Sequence, residues 1–295
     1  MSTTSGGIVL GANQYGKAEN RLVRIHRATD RHEIRDVTVS TALRGDFTAA
    51  HLAGDQSDVL PTDTQKNTCY AFAKSHGLGK IEDYALALAR HFVDDVAPVQ
   101  GARIAVDEFG WERVPVGGPD HPDRGHDHTW VRRGSEVRTT VVTVDAGGAE
   151  VVSGLRDLVL LKSTGSEFAG FLVDEYTTLA PTHDRIMSTS LVATWTYTGT
   201  AVDGDTDWDK TWADVRRILL ERFATVHSLA LQQTLWEMGR GVLEAHPEIA
   251  EISLSAPNRH HFVGDLAPFG LENANEVFYA AARPYGLFEA TITRD

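Results

Sequence analysis

The chain has 295 residues, 42% hydrophobic and 23% charged, a composition close to that of ordinary folded domains and long enough for one large domain or two of usual size. A formal net charge of −13 argues against a nucleic-acid partner, whose phosphates need a basic face, and against an anionic membrane surface. A small anionic ligand is not excluded, because it responds to local charge.

In chain order, two strand-like runs come first. "NRLVRIHRA" and "VTVSTAL" both alternate, and Val37, Val39, Thr41 and Leu43 share one face. The polar stretch "PTDTQKNT" then leads into a helical pattern. Thr62 followed three residues later by Gln65 fits a capping box, in which the two side chains satisfy free backbone N–H groups. A second helix is expected where Ile81, Ala85, Leu88 and Phe92 recur at helical spacing. Strand-like runs follow at about 101–114 and 129–146, joined by a Gly/Pro/His-rich link.

The second half repeats the order. "EVVSGLRDLVLLKST" precedes "RIMSTSLVATWTYTG", where Met187, Thr189, Leu191, Ala193, Trp195 and Tyr197 line one face. Trp212, Val215, Leu219 and Phe223 mark one helix; Leu231, Leu235, Met238 and Val242 mark the next. "AEISLSA" and "GLFEATITR" return to strand patterning. Each half thus reads strand, strand, helix, helix, strand, strand. "LPTDTQ" at Leu60 and "LKSTGSE" at Leu161 look like counterparts, as an internal duplication would give. The expected fold class is α+β, with two units at 1–143 and 144–295 and helices on one face of each antiparallel sheet.

Several clusters invite chemistry. His121, His126 and His128 with Asp123 and Asp127 could hold a metal, though a polar loop entering a strand accounts for them as well. Asn258, His260 and His261 follow a strand at a Pro-Asn turn signal, and adjacent histidines in extended backbone point to opposite faces. Tyr15-Gly16-Lys17 reads as a glycine turn before a strand. The single cysteine, Cys69, allows no intrachain disulfide and no Cys-rich zinc site, which fits a reducing compartment. No stretch approaches the roughly 18 apolar residues of a membrane-spanning helix. With neither a secretory pattern in "MSTTSGGIVLGANQYGK" nor a peroxisomal address in "ATITRD", the expected location is the cytoplasm.

Taken together, "QYGKAENRLVRIHR", "LPTDTQKNTCY", "VLLKSTGSEFAGFLVDEYTTLAPTHDRIMST", "LALQQTLWEM" and "LSAPNRHHFVGDL" resemble, in order, the segments of the urate oxidase (uricase) family. The resemblance implies tandem tunnelling-fold (T-fold) units that close into a barrel in a homotetramer, with active sites between subunits. It implies oxidation of urate by O2 and water to 5-hydroxyisourate and hydrogen peroxide in purine breakdown, with no metal or organic cofactor. By motif, Lys17, Thr62 and His260 become a proton relay. Thr62, Asp63, Phe168, Arg185, Leu231, Gln232 and Asn258 become the residues that bind substrate and O2.

These types suit a planar anion edged with carbonyls and N–H groups. Arg185 presents a two-donor fork, Gln232 donates and accepts, and Phe168 offers a stacking face. Backbone N–H groups of Asp63 and Leu231 would meet ring atoms, and a helix start favours negative charge. His261 stands where the family often has an aromatic, and the loop around His126 and His128 is longer than in many members. A pterin- or purine-binding T-fold enzyme, a metal hydrolase and a non-catalytic binding protein are the other readings.

Overall fold

A computed structural model describes residues 7–118, 124–281 and 283–295. They form two compact units, one running up to Gly134 and including Arg138–Val152, the other made of Ser135–Val137 and Ser153–Asp295.

The first unit contains β1 (Asn20–His26), β2 (Glu33–Gly45), α1 (Thr48–Ala53), α2 (Thr62–Ser75), α3 (Ile81–Asp95), β3 (Val99–Pro115) and β4 (Gly125–Asp145). The strand order is β1-β2-β3-β4, and β1-β2 and β2-β3 are antiparallel. Period-two alternation turns Val37, Val39, Thr41 and Leu43 inward, and all four are buried. Register pairs Val39 with Val106, Thr41 with Ile104 and Leu43 with Ala102, so β3 continues the same apolar face. α3 packs there through Ile81, Ala85, Leu88 and Phe92, each fully buried. Tyr84 on α3 donates its hydroxyl hydrogen to Cys69 O on α2 at 2.8 Å. Glu82, wholly buried, is matched by Arg138 at 2.7 Å, so the core carries no bare charge there.

The second unit contains β5 (Gly148–Lys162) from Ser153 onward, β6 (Met187–Tyr197), α4 (Gly199–Val202), α5 (Trp208–Thr225), α6 (Leu231–Ala245), β7 (Ile249–Pro257), β8 (His260–Val263), a 3-10 turn at Ala267–Phe269, β9 (Phe278–Ala281) and β10 (Leu287–Thr293). Its strand order is β5-β6-β7-β10, and β8-β9 form a separate antiparallel pair. All six inward positions of β6, from Met187 to Tyr197, are buried. α6 buries Leu231, Leu235, Met238 and Val242. It can lie close to β10 because Gly239 has no side chain: a Cβ there would sit 2.6 Å from Ile292 Cδ1. Antiparallel sheets with helices packed on them give the α+β class. Among the described residues, no helix is long and apolar enough to cross a membrane.

Four sequence expectations change. α2 has Pro61 at its N-cap and no side-chain cap, so Thr62 and Gln65 do not form a capping box. Gln65 is instead buried and bonds inward. The runs at Leu60 and Leu161 are not counterparts either, since the first opens a helix and the second ends β5. The pairing had rested on a shared polar composition, which both a helix start and a strand end can carry. Gly16 does not make a turn; it lies between two backbone pairings to β2. Lastly, α1, α4, β8 and β9 were not anticipated. α1 buries no residue, α4 has four residues, and the two strands have four each, too short for a period to emerge.

Candidate active site

In the first unit, the segment before β1 is stitched to β2. Tyr15 and Leu43 exchange backbone hydrogen bonds (3.1 and 2.8 Å), and Thr41 N–H donates to Lys17 O at 2.9 Å. Between them Gly16 approaches β2 so closely that a Cβ would lie 1.8 Å from Thr41 O. The glycine is needed for that approach. Lys17 N–H donates to the Thr41 hydroxyl at 3.1 Å, and that hydroxyl donates to Gln65 Oε1 at 2.7 Å. Tyr15 reaches Leu60 O at 3.1 Å with its phenol. Lys17 and the start of α2 are therefore held together by Tyr15, Thr41 and Gln65.

At that helix start Gln65 is the first residue to bond back, to Pro61 O at 3.1 Å, so the N–H groups of Thr62, Asp63 and Thr64 have no intrahelical acceptor. The Thr62 hydroxyl, half-buried, makes no hydrogen bond among the described residues. The exposed Asp63 carboxylate turns along the helix to Lys66 (2.5 Å) and Asn67 (3.3 Å). These contacts, Lys66 first, hold it below the usual carboxylate range, with the Lys17 charge a minor contributor. Its backbone N–H, the group the sequence reading relies on, is one of the three without an intrahelical acceptor.

In the second unit a cavity of about 500 Å3 brings together Phe168, Arg185, Leu231, Gln232, Asn258 and His260. Phe168 sits in a short bridge with Thr182 (2.8 and 2.9 Å), stacks on Phe171 at 4.7 Å, and lies 5.1 Å from the Arg185 guanidinium carbon. Arg185 N–H donates to Ser166 O at 2.9 Å, and its Nε makes a long 3.4 Å bond to the buried Ser166 hydroxyl. Among the described residues its two terminal nitrogens have no hydrogen bond. Burial of the guanidinium pushes its pKa down, the mark of a charge lacking full compensation.

α6 opens after Ala230 without a side-chain cap, and Thr234 is the first residue to bond back. Leu231 is buried and Gln232 exposed. Asn258 is buried, accepted at its backbone N–H by Gly286 O (2.8 Å), and its Nδ2 lies 3.4 Å from His260 Nδ1. Both His260 and His261 border the cavity. Sequence reasoning missed Thr41 and Gln65 as supports. A glutamine four residues before buried Cys69 on one helix face was the available signal.

The histidine-rich loop has a different character. His121 and Asp123 lie outside the described residues. The His126 and His128 rings pack edge to face at 4.4 Å, and Asp127 pairs with Arg31 at 2.8 Å. Among the described residues no group of three or more His, Cys, Asp or Glu side chains is placed to hold a metal ion.

A family model described as uricase matches residues 13–143 and 151–289. The chain belongs to the uricase family. It is 52% identical to the uricase of Arthrobacter globiformis over 294 residues, covering 100% of this chain and 93% of that protein. It is 34% identical to the uricase of Cyberlindnera jadinii, covering 100% and 98%. The crystal structure of the Arthrobacter globiformis uricase superposes with a TM-score of 0.90 at 53% identity, covering 98% of this chain and 96% of that one. As in other family members, the T-fold class is the architecture described above. The uricase match spans both units.

Proposed function

We infer that the chain is a urate oxidase: it catalyses urate + O2 + H2O → 5-hydroxyisourate + H2O2 in purine catabolism. The observation that carries the reading is the second-unit cavity, where a half-buried guanidinium with unengaged terminal nitrogens faces an aromatic ring and an uncapped helix start. Urate enters as an anion. The Arg185 fork takes one carbonyl edge, Gln232 bonds the opposite edge in both senses, Phe168 stacks, and the Leu231 N–H meets a ring atom. Asn258 holds O2, and later water, above the ring. Two electrons pass from deprotonated urate to O2, which takes two protons to become hydrogen peroxide. Water then adds to the oxidised ring, and its proton leaves through His260, Thr62 and Lys17.

In this reading Lys17, Thr62 and the Asp63 N–H of one subunit complete the cavity of another, within a homotetramer. The open helix start of α2 and the unbonded Thr62 hydroxyl support that role. In air, the purified chain is expected to consume urate's ultraviolet band with one O2 taken up and one peroxide formed per urate; an unchanged band overturns the reading. Co-refolding Lys17→Met with Arg185→Ala chains tests the shared site. Random pairing leaves one intact site in each mixed pair and restores about one quarter of the activity. No restoration means both halves come from one chain.

A further inference from the structure

Three of the segments that line the second-unit cavity carry Phe168, Arg185 and the start of α6. The loop after β5 brings Phe168, the run before β6 brings Arg185, and the start of α6 brings Leu231 and Gln232. One carboxylate joins all three. Glu167 Oε2 accepts from His183 Nδ1 at 3.0 Å and Oε1 accepts from His227 Nε2 at 2.6 Å. The Glu167 backbone N–H donates to Ser228 O at 2.7 Å. Glu167 immediately precedes Phe168, His183 stands two residues before Arg185, and His227 four before Leu231. The carboxylate is 23% exposed, while His183 and His227 are 78% and 58% exposed. It does not border the cavity itself.

The charged groups nearest the clamp in sequence are engaged elsewhere. Lys162 donates to Val226 O at 2.6 Å, Asp184 accepts from Thr164 at 2.8 Å, and Arg185 lies against Phe168 and Ser166. We propose that Glu167 is a positioning residue for substrate: by clamping His183 and His227 it sets the spacing between the Phe168 ring, the Arg185 fork and the start of α6. The proposal rests on the urate reading above. The two imidazoles, His227 before His183, also hold the Glu167 carboxyl below its usual range, so it stays an acceptor at neutral pH.

The groups this clamp places grip the purine in ground and transition states alike, so its loss belongs in KM rather than kcat. A mere surface brace would lower Tm and leave KM alone. The test compares full-length wild type, Glu167→Ala and Glu167→Gln at pH 8. Glu167→Ala raises KM about tenfold, with kcat within about twofold. The Kd of xanthine, which has the same pyrimidine-dione edge, rises by the same factor. Glu167→Gln restores most of the KM, because its amide can accept from one imidazole and donate to the other.

A Glu167→Ala KM within twofold of wild type, a fall confined to kcat, or a Glu167→Gln KM no better than that of Glu167→Ala overturns the proposal. If Glu167→Ala does not fold, His183→Ala and His227→Ala, each cutting one arm of the clamp at an exposed ring, decide by the same KM criterion. A wild-type chain that leaves urate untouched fails the urate reading instead. The xanthine affinities of wild type and variants still report on the clamp in that case.

Discussion

Replacing Arg185 with alanine separates binding from stability. The guanidinium is half-buried and has one long side-chain bond, 3.4 Å to Ser166, so little of the fold depends on it. Its two terminal nitrogens are what a carbonyl edge of bound urate would use. A hydrogen bond to a charged group contributes about 1.5–3 kcal/mol, and a parallel pair at a half-exposed position about 3 kcal/mol in all. That corresponds to a Kd raised about a hundredfold. Anaerobic titration with urate measures it, because without O2 no turnover intervenes. Arg185→Lys keeps the charge but not the fork and should fall between. Tm should stay level or rise, since the variant removes a desolvated charge. A Kd within about fivefold of wild type refutes the ligand role, and a large fall in Tm with unchanged Kd would make Arg185 a structural residue.

Other perturbations probe the first unit. Thr62→Val should lower kcat by about a hundredfold, a typical loss for a proton-transfer group, with anaerobic urate affinity and Tm nearly unchanged, because the hydroxyl caps nothing. Intact turnover in that variant removes Thr62 from the relay. Gly16→Ala should cost about 3 kcal/mol or more in denaturant unfolding, since its Cβ would meet Thr41 O at 1.8 Å; a stability within 1 kcal/mol contradicts that packing. Burial pushes the Cys69 thiol up to about 11, so a disulfide reagent at pH 8 should label no thiol in the native chain and one after denaturation. Rapid native labelling would show that α2 opens readily.

Long elements with one buried face were legible in the sequence. β2, α3, β6 and α6 each repeat an apolar residue at the period of their geometry, and every position singled out on them is buried. Trp212 is the partial case on α5: it is half-exposed, and its indole N–H donates to Gly154 O at 2.9 Å. What the sequence hid were contacts between distant segments. Nothing local says that Gln65 bonds Thr41 rather than its own helix start, or that Gly16 serves a close approach to β2. The six second-unit candidates came from the uricase resemblance, and they share one cavity because short bridges at Ser166, Phe168 and Ser228 fold their loops together. Spacing alone could not have announced those bridges.

The uncapped helix starts carry a consequence for where negative charge is favoured. By element order α2 corresponds to α5, and α3 to α6, so the starts of α2 and α6 are not positional counterparts. Those counterparts differ from them in capping or charge. The Asp207 carboxylate accepts from Lys210 N–H at the head of α5, a cap that α2 lacks, and α3 carries Glu82 and Asp83 in a first turn where α6 has no acidic residue. A negative charge at the start of α6 meets the helix dipole with no first-turn carboxylate opposing it, whereas one at α2 shares that start with Asp63. The two starts are therefore unlike seats, and the one on α6 favours an anion more.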